Sequence, residues 1–171
     1  MKTLTQYINE ILSTRIMVRP DCAAICKKIE DAIKVLPKKG VCFLFQGSGS
    51  MDDVKKGCAT ELDKIFNENG YDIYYWRESG YYKVSSVNDI KVGGPHDTLA
   101  GIDAIKLLSK RYKCICVLGD SLHKANNTIE DSFKELSEKM NKNLYWFFTD
   151  DSDKNTQNGF VKMLYRTINC A

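Results

Sequence analysis

The chain has 171 residues, of which 43% are hydrophobic and 27% are charged, as is typical of a globular protein. Its 25 basic and 22 acidic residues give a formal net charge of +3 and are too evenly spread to form the basic face that binds nucleic acids. No apolar stretch is long enough for a membrane span, and the N-terminal residues lack the apolar core of a signal peptide. We therefore predict a single cytoplasmic domain that binds neither membranes nor nucleic acids.

Seven cysteines occur without a repeated spacing. Cys114 and Cys116 lie two apart on a predicted strand, too far from each other for a disulfide, and Cys22 and Cys26 share a helix face. The CxxC and CxxH pairs of a zinc site are absent, so we predict no metal and no other cofactor. The cysteines are expected to be small buried side chains in a reducing compartment.

The first forty residues predict two helices that pack on the rest of the domain. Apolar residues between positions 4 and 12 recur at the spacing of one helix face. The dipeptide Arg19-Pro20 favours the start of a second helix. The apolar face of that helix carries Ile25, Ile29, Ile33 and Leu36. The pair could instead form a lid or a dimer contact, so a homodimer is one expectation.

From residue 41 onward, short apolar runs alternate with amphipathic helical patterns. The runs are Val41–Phe45, Tyr71–Trp76, Tyr112–Leu118 and Leu144–Phe148. Apolar residues at helical spacing mark helices within 54–66, 99–108, 129–140 and, after a C-terminal loop, 160–168. This alternation predicts an α/β fold in residues 41–150: a small, doubly wound, mostly parallel sheet of four to five strands, with helices on both faces. Residues 78–91 fit neither period and could form an edge strand, a hairpin or a loop.

In an open parallel sheet, ligands bind beyond the carboxyl ends of the strands, where the strand order reverses. The segment Gly47-Ser48-Gly49-Ser50 directly follows the first strand. Its glycines would let a ligand approach the backbone, and amides at the next helix start could hold an anion. However, Ser50 and Asp53 have the spacing of a capping box, and carboxylates there would repel a phosphate and favour a neutral sugar. A capped turn without a ligand is the alternative.

Three further polar segments should reach the same edge of the sheet. Asp120 and Ser121 follow the third buried strand, where a carboxylate would meet a ligand, although both are also common turn residues. Glu130 lies in the first turn of the next helix, whose dipole stabilises the carboxylate anion; this favours a nucleophile or charge stabiliser, or dipole compensation alone. Before another helix, His96 could act as an acid or base near neutral pH, and Asp97 could bind a ligand or cap the helix.

The order of these segments resembles that of the nucleoside 2-deoxyribosyltransferases. It is also similar to the lysine-decarboxylase-like nucleotide hydrolases and to the TIR domains that cleave NAD. The matching residues are Gly47-Ser48, Asp97, Asp120 and Glu130. The resemblance implies a nucleotide-binding Rossmann-like fold and attack at the sugar C1 while a base leaves. It implies that Glu130 is the nucleophile or charge stabiliser, while Asp97 or Asp120 holds sugar hydroxyls or protonates the base. The hydrolases carry a PGGxGTxxE run whose glycines are missing at 127–130.

Loss of a base from a ribosyl carbon passes through an oxocarbenium-like state, as other glycoside cleavage does. A carboxylate about 3 Å from that carbon would supply a covalent bond or a compensating charge. We therefore expect an enzyme that acts on the N-glycosidic bond of a nucleoside, a nucleotide or an NAD-like molecule. The main alternative is a non-catalytic module on the same fold that senses a nucleotide or binds a protein. A degenerate α/β-hydrolase is a more remote interpretation, because His123 stands where the nucleophile elbow requires glycine.

Overall fold

The chain alternates helices and strands in the order that its hydrophobic pattern predicts. The computed structural model describes Gln6 and residues 21–78, 80–94, 98–119, 127–141, 143–149 and 169–170. The helices are α1 (Cys22–Ile33), α2 (Asp52–Asn69), α3 (Thr98–Leu108) and α4 (Asn127–Lys139). The strands are β1 (Val41–Gln46), β2 (Asp72–Arg77), β3 (Gly80–Val84), β4 (Cys114–Gly119), β5 (Leu144–Phe148) and β6 (Asn169–Cys170).

These strands form one sheet in the order β3-β2-β1-β4-β5-β6. All neighbouring strands are parallel except β3, which pairs antiparallel with β2 at one edge. The predicted small, mostly parallel α/β fold is thereby confirmed, and residues 78–91 contain the edge strand that was one of their alternatives. The pairing on which the predicted site depends is also confirmed, because Val41 lies opposite Cys114 in a parallel ladder.

Helices cover both faces of the sheet, so the central strands are buried throughout. Every residue of β1 and β4 is buried, and successive side chains point to opposite faces. On one face, Phe43 and Phe45 pack in a core with α1 and α2. On the other face, Cys42 and Leu44 pack in a second core with α3 and α4. Of the apolar residues that predicted α3, Leu99 at its start is 53% exposed.

Only one of the two predicted N-terminal helices falls within the described residues. This helix, α1, buries Ile25 and Ile29 against the α2 side of the sheet. It begins after Asp21, whose carboxylate accepts a hydrogen bond from the amide of Ala24 at 3.2 Å. The first predicted helix, apart from Gln6, and the predicted helix at 160–168 lie outside the described residues. In the part of the chain that the structure describes, no helix is long and apolar enough to cross a membrane.

The cysteines of the described ranges behave as side chains of the core. Six of them have free thiols, and four of these are buried. Cys22 and Cys26 are half-buried, with sulfur atoms 4.0 Å apart. Burial, followed by the neighbouring Cys22, raises the pKa of Cys26 to about 12. Since the thiolate is the reactive form, the raised pKa keeps Cys26 in its unreactive thiol form.

Candidate ligand-binding crevice

The strand order reverses between β1 and β4, at the position where open parallel sheets form ligand crevices. From β1 the chain passes to β2 on one side, and it returns later to β4 on the other side. The helices that follow these two strands, α2 and α4, cover opposite faces of the sheet. The ends of β1 and β4 are therefore not closed over by a common helix. We call this edge, formed by Gln46–Ser50, Arg77, Gly119 and the start of α4, the carboxyl rim.

The side chain of Gln46, the last residue of β1, is buried at this edge of the sheet. A Cβ atom on Gly119 would lie 2.8 Å from Gln46 Oε1 and 3.0 Å from Cζ2 of Trp146, so the glycine makes room for both side chains. Thr149, which follows β5, donates its amide to the Gly119 carbonyl at 3.1 Å. Its hydroxyl lies 3.6 Å from the sulfur of Met51. The end of β5 is thereby connected to the turn that follows β1.

Gly47 is required by the neighbouring backbone. Its amide donates to the Trp76 carbonyl at 2.9 Å, and its own carbonyl accepts from Gly93 at 3.2 Å. A Cβ atom at position 47 would lie 2.5 Å from the Trp76 carbonyl oxygen and 3.2 Å from the Lys91 carbonyl oxygen. Any side chain would therefore collide with β2 and with the segment that precedes Gly93. Backbone packing alone therefore requires glycine at position 47.

The remainder of the predicted binding turn is partly exposed. Ser48 is buried, and its hydroxyl lies 2.7 Å from the hydroxyl of Ser50. Gly49 and Ser50 are exposed. A 3-10 turn over Gly49–Met51 precedes α2, and the N-cap residue of α2 makes no side-chain capping hydrogen bond. The predicted capping box of Ser50 and Asp53 is therefore wrong, because the extra turn moves the helix start beyond Ser50.

Of the predicted catalytic residues, only Glu130 lies on a described helix or strand. For Glu130 the structure describes the backbone and not the side chain. Glu130 is in the first turn of α4. Because α4 connects the parallel strands β4 and β5, it must start at their carboxyl ends. The backbone of Glu130 therefore belongs to the carboxyl rim. Asp120, Ser121, His96 and Asp97 lie outside the described residues, so their convergence with Glu130 stays a prediction.

Sequence reasoning missed a basic residue at the same edge. Arg77 is the last residue of β2, the strand beside β1. Its Cβ lies 3.2 Å from the position that a Cβ of Gly47 would occupy, and its Nη2 lies 3.9 Å from the corresponding position at Gly93. The signal was present, since Arg77 directly follows the apolar run 71–76 and the ends of parallel strands meet at one edge.

A cavity of about 320 Å³ opens beside Arg77. Its lining residues are Tyr75, Arg77, Glu78, Tyr82 and Lys91. The rings of Tyr75 and Tyr82 lie 5.2 Å apart between centroids. Burial, with a smaller contribution from Tyr82, raises the pKa of Tyr75, so its phenol stays protonated at neutral pH. The cavity therefore offers two cations, one carboxylate and two neutral aromatic side chains.

Comparisons with known proteins do not assign the chain to a family. No family model matches it, and no curated protein is significantly similar to it. Among the described residues, no three His, Cys, Asp or Glu side chains lie together as metal ligands would. Because one fold supports many functions, the chemistry of the crevice has to follow from its own residues.

Proposed function

We propose that the chain binds a nucleoside- or nucleotide-like molecule in the crevice between β1 and β4 and acts at its N-glycosidic bond. The observation that carries this proposal is the parallel pairing of β1 and β4 at the point where the strand order reverses. That topology brings the turn after β1 and the first turn of α4 to one edge of the sheet. A ligand above Gln46 and Gly119 would then have Gly49 and Ser50 on one side and Glu130 on the other.

In this proposal the reaction needs few groups. The exposed hydroxyl of Ser50 and the backbone of Gly49 would hold sugar hydroxyls. The carboxylate of Glu130, stabilised as an anion by the start of α4, would bond to the sugar C1 or balance its developing positive charge. Asp97 or Asp120 would bind sugar hydroxyls or give a proton to the departing base. Water as the acceptor would yield free base and sugar, and a second base would yield a new nucleoside.

Base release from a small set of substrates tests the proposal. Purified protein is incubated with adenosine, deoxyadenosine, AMP and NAD, and the free base is quantified by chromatography. We expect release from at least one of them, and a loss of about 100- to 1000-fold in Glu130→Gln, the scale of removing a charge-stabilising group. Glu135→Gln is the matched control, because Glu135 is exposed on the same helix and its substitution makes the same change in charge.

Each outcome has a distinct meaning. Full base release by Glu130→Gln would exclude the proposed role of this carboxylate. If calorimetry detected binding of a substrate that is never cleaved, the non-catalytic nucleotide-sensing module would replace the enzyme. If none of the four compounds were bound or cleaved, the nucleoside proposal would be overturned.

A further inference from the structure

Arg77 carries a guanidinium group that is only partly hydrogen-bonded by the described residues. Its Nε is buried and has no hydrogen-bond partner among the described residues. The carboxylate of Glu78 lies 4.0 Å away between Oε1 and Nη2, and the Glu78 side chain is 68% exposed. An ion pair of this length and exposure is weak. A buried N–H group without an acceptor is unfavourable in a folded protein and calls for an explanation.

The guanidinium lies against a glycine segment that is attached to the predicted binding turn. Gly93 and Gly94 have φ angles of +136° and +72°, a backbone region that favours glycine. Gly93 donates its amide to the Gly47 carbonyl at 3.2 Å. A Cβ atom on Gly49 would lie 4.0 Å from the Cα of Gly93. The guanidinium of Arg77, the glycine segment and the exposed turn after β1 are thus contiguous.

The charge balance at this place favours an anion. Arg77 and Lys91 both line the cavity, and Lys91 is exposed. The carboxylates in the first turn of α2, Asp52 and Asp53, would repel a phosphate. However, the carboxylate of Asp52 forms an ion pair with Lys56 at 2.5 Å, so part of that negative charge is compensated. The planar fork of an arginine matches the oxygen atoms of a phosphate group and binds them through two hydrogen bonds at once.

We propose that the ligand of the carboxyl rim carries a phosphate group, and that Arg77 binds this phosphate with assistance from Lys91. The inference rests on the proposed function and deepens it, because it selects a nucleotide over a nucleoside. Monophosphate and diphosphate groups share the chemistry that Arg77 recognises. AMP and NAD are therefore separate probes of the same site.

Calorimetric titrations test this assignment with AMP, NAD, adenosine and pyrophosphate. We expect at least one nucleotide to bind about tenfold or more tightly than adenosine. Arg77→Gln should weaken nucleotide and pyrophosphate binding by about 10- to 100-fold, the range for lost hydrogen bonds to a charged group, and leave adenosine binding unchanged. The control is Lys110→Gln, which makes the same change in net charge at an exposed residue of another groove and should not alter nucleotide binding.

The outcomes separate this inference from the proposed function. Equal binding of AMP, NAD and adenosine, together with base release from nucleosides, would overturn the phosphate site and leave the proposed activity intact. Arg77-dependent binding of nucleotides that are never cleaved would support the phosphate site and count against the activity. If neither a nucleotide nor pyrophosphate were bound, the phosphate site would be overturned. Thermal unfolding verifies that Arg77→Gln is folded, and Arg77→Lys, which keeps the charge without the fork, should lose part of the affinity.

Discussion

The polar side chains at the two ends of β2 differ in how completely they are hydrogen-bonded. At its amino end, Tyr112 donates a hydrogen bond to the carboxylate of Asp72 and lies 2.9 Å from the hydroxyl of Tyr74. Lys83 adds an ion pair to Asp72 at 2.8 Å. At its carboxyl end, Arg77 keeps a buried N–H without an acceptor among the described residues. The network at the amino end stabilises the fold, whereas Arg77 at the carboxyl end is the residue proposed to bind phosphate.

The amino edge of the sheet also has a groove, and its charges have a structural explanation. This groove of about 520 Å³ includes the cations Lys110, Arg111, Lys113 and Lys139 among its lining residues. It lies where α3 and α4 end, at Leu108 and Lys139. Cations are favoured at the ends of helices because they compensate the helix dipole. Arg77 ends a strand, so no dipole accounts for it.

The largest expected effect on the free energy of unfolding is at Gly47, in the carboxyl rim. Gly47→Ala should lower the free energy of unfolding by about 2–4 kcal/mol, because the added Cβ overlaps rigid backbone. The clash is 2.5 Å, with the Trp76 carbonyl oxygen. Gly49→Ala is the control, with no atom nearer than 4.0 Å to its Cβ, and should change stability by about 0.5 kcal/mol or less. Urea unfolding measures both; equal stabilities would mean that β2 and the Gly47 turn are not in contact.

A smaller effect is expected for the network at the amino end of β2. Burial would raise the pKa of Asp72, but hydrogen bonds from Lys83 and Tyr112 and the charge of Lys83 hold it below its usual value. A carboxyl group with a depressed pKa stabilises the fold above its unfolded pKa of about 3.9, and this stabilisation is lost as the pH falls through the folded pKa. Asp72→Asn should therefore cost about 1 kcal/mol at pH 7.

The measurement is urea unfolding of wild type and Asp72→Asn between pH 7 and pH 3. The difference between the two proteins should shrink below about pH 4, once the wild-type carboxylate takes up its proton. Asp103→Asn, at an exposed residue of α3, should cost about 0.5 kcal/mol or less. A difference that stays constant with pH would show that the charge of Asp72 contributes nothing to stability.

The smallest effect on stability is expected for Arg77. Arg77→Met keeps the methylene groups that pack beside Gly47 and removes the buried N–H, so the free energy of unfolding should change by about 0.5 kcal/mol or less. The same variant should lose nucleotide binding. A loss above about 1.5 kcal/mol in urea unfolding would show that Arg77 serves the fold, and the contrast between the two ends of β2 would then disappear.

The hydrophobic pattern was sufficient to predict most of the fold. The apolar run at 41–45 became β1, Val41–Gln46, because a strand buried on both faces needs an unbroken apolar run. In contrast, β6 has only two residues, and its pairing with β5 is a tertiary contact without a local signal. The capping box failed because serine and aspartate three apart occur in a 3-10 turn followed by a helix as well as in a single helix start.

The candidate site was predictable only as far as strand order could be inferred. The Gly47 turn and the start of α4 follow predicted strands, so both were placed at one edge in advance. Arg77 was missed although it directly follows a predicted strand, because only the structure shows that β2 lies beside β1. The role of Gly47 also depends on that neighbour, since the Trp76 carbonyl fills the space beside it. Packing at the rim is set by contacts between strands that are distant in sequence.

The pairing of β1 with β4 has a kinetic consequence for the crevice. Between these two strands the chain forms α2, β2, β3 and α3, so the pairing closes a long loop, and contacts of this kind form slowly in folding. The hairpin of β2 and β3 requires no such closure. A ligand of the proposed site would therefore find it complete only after the long-range pairing has formed, and it would bind the finished fold instead of guiding its early steps.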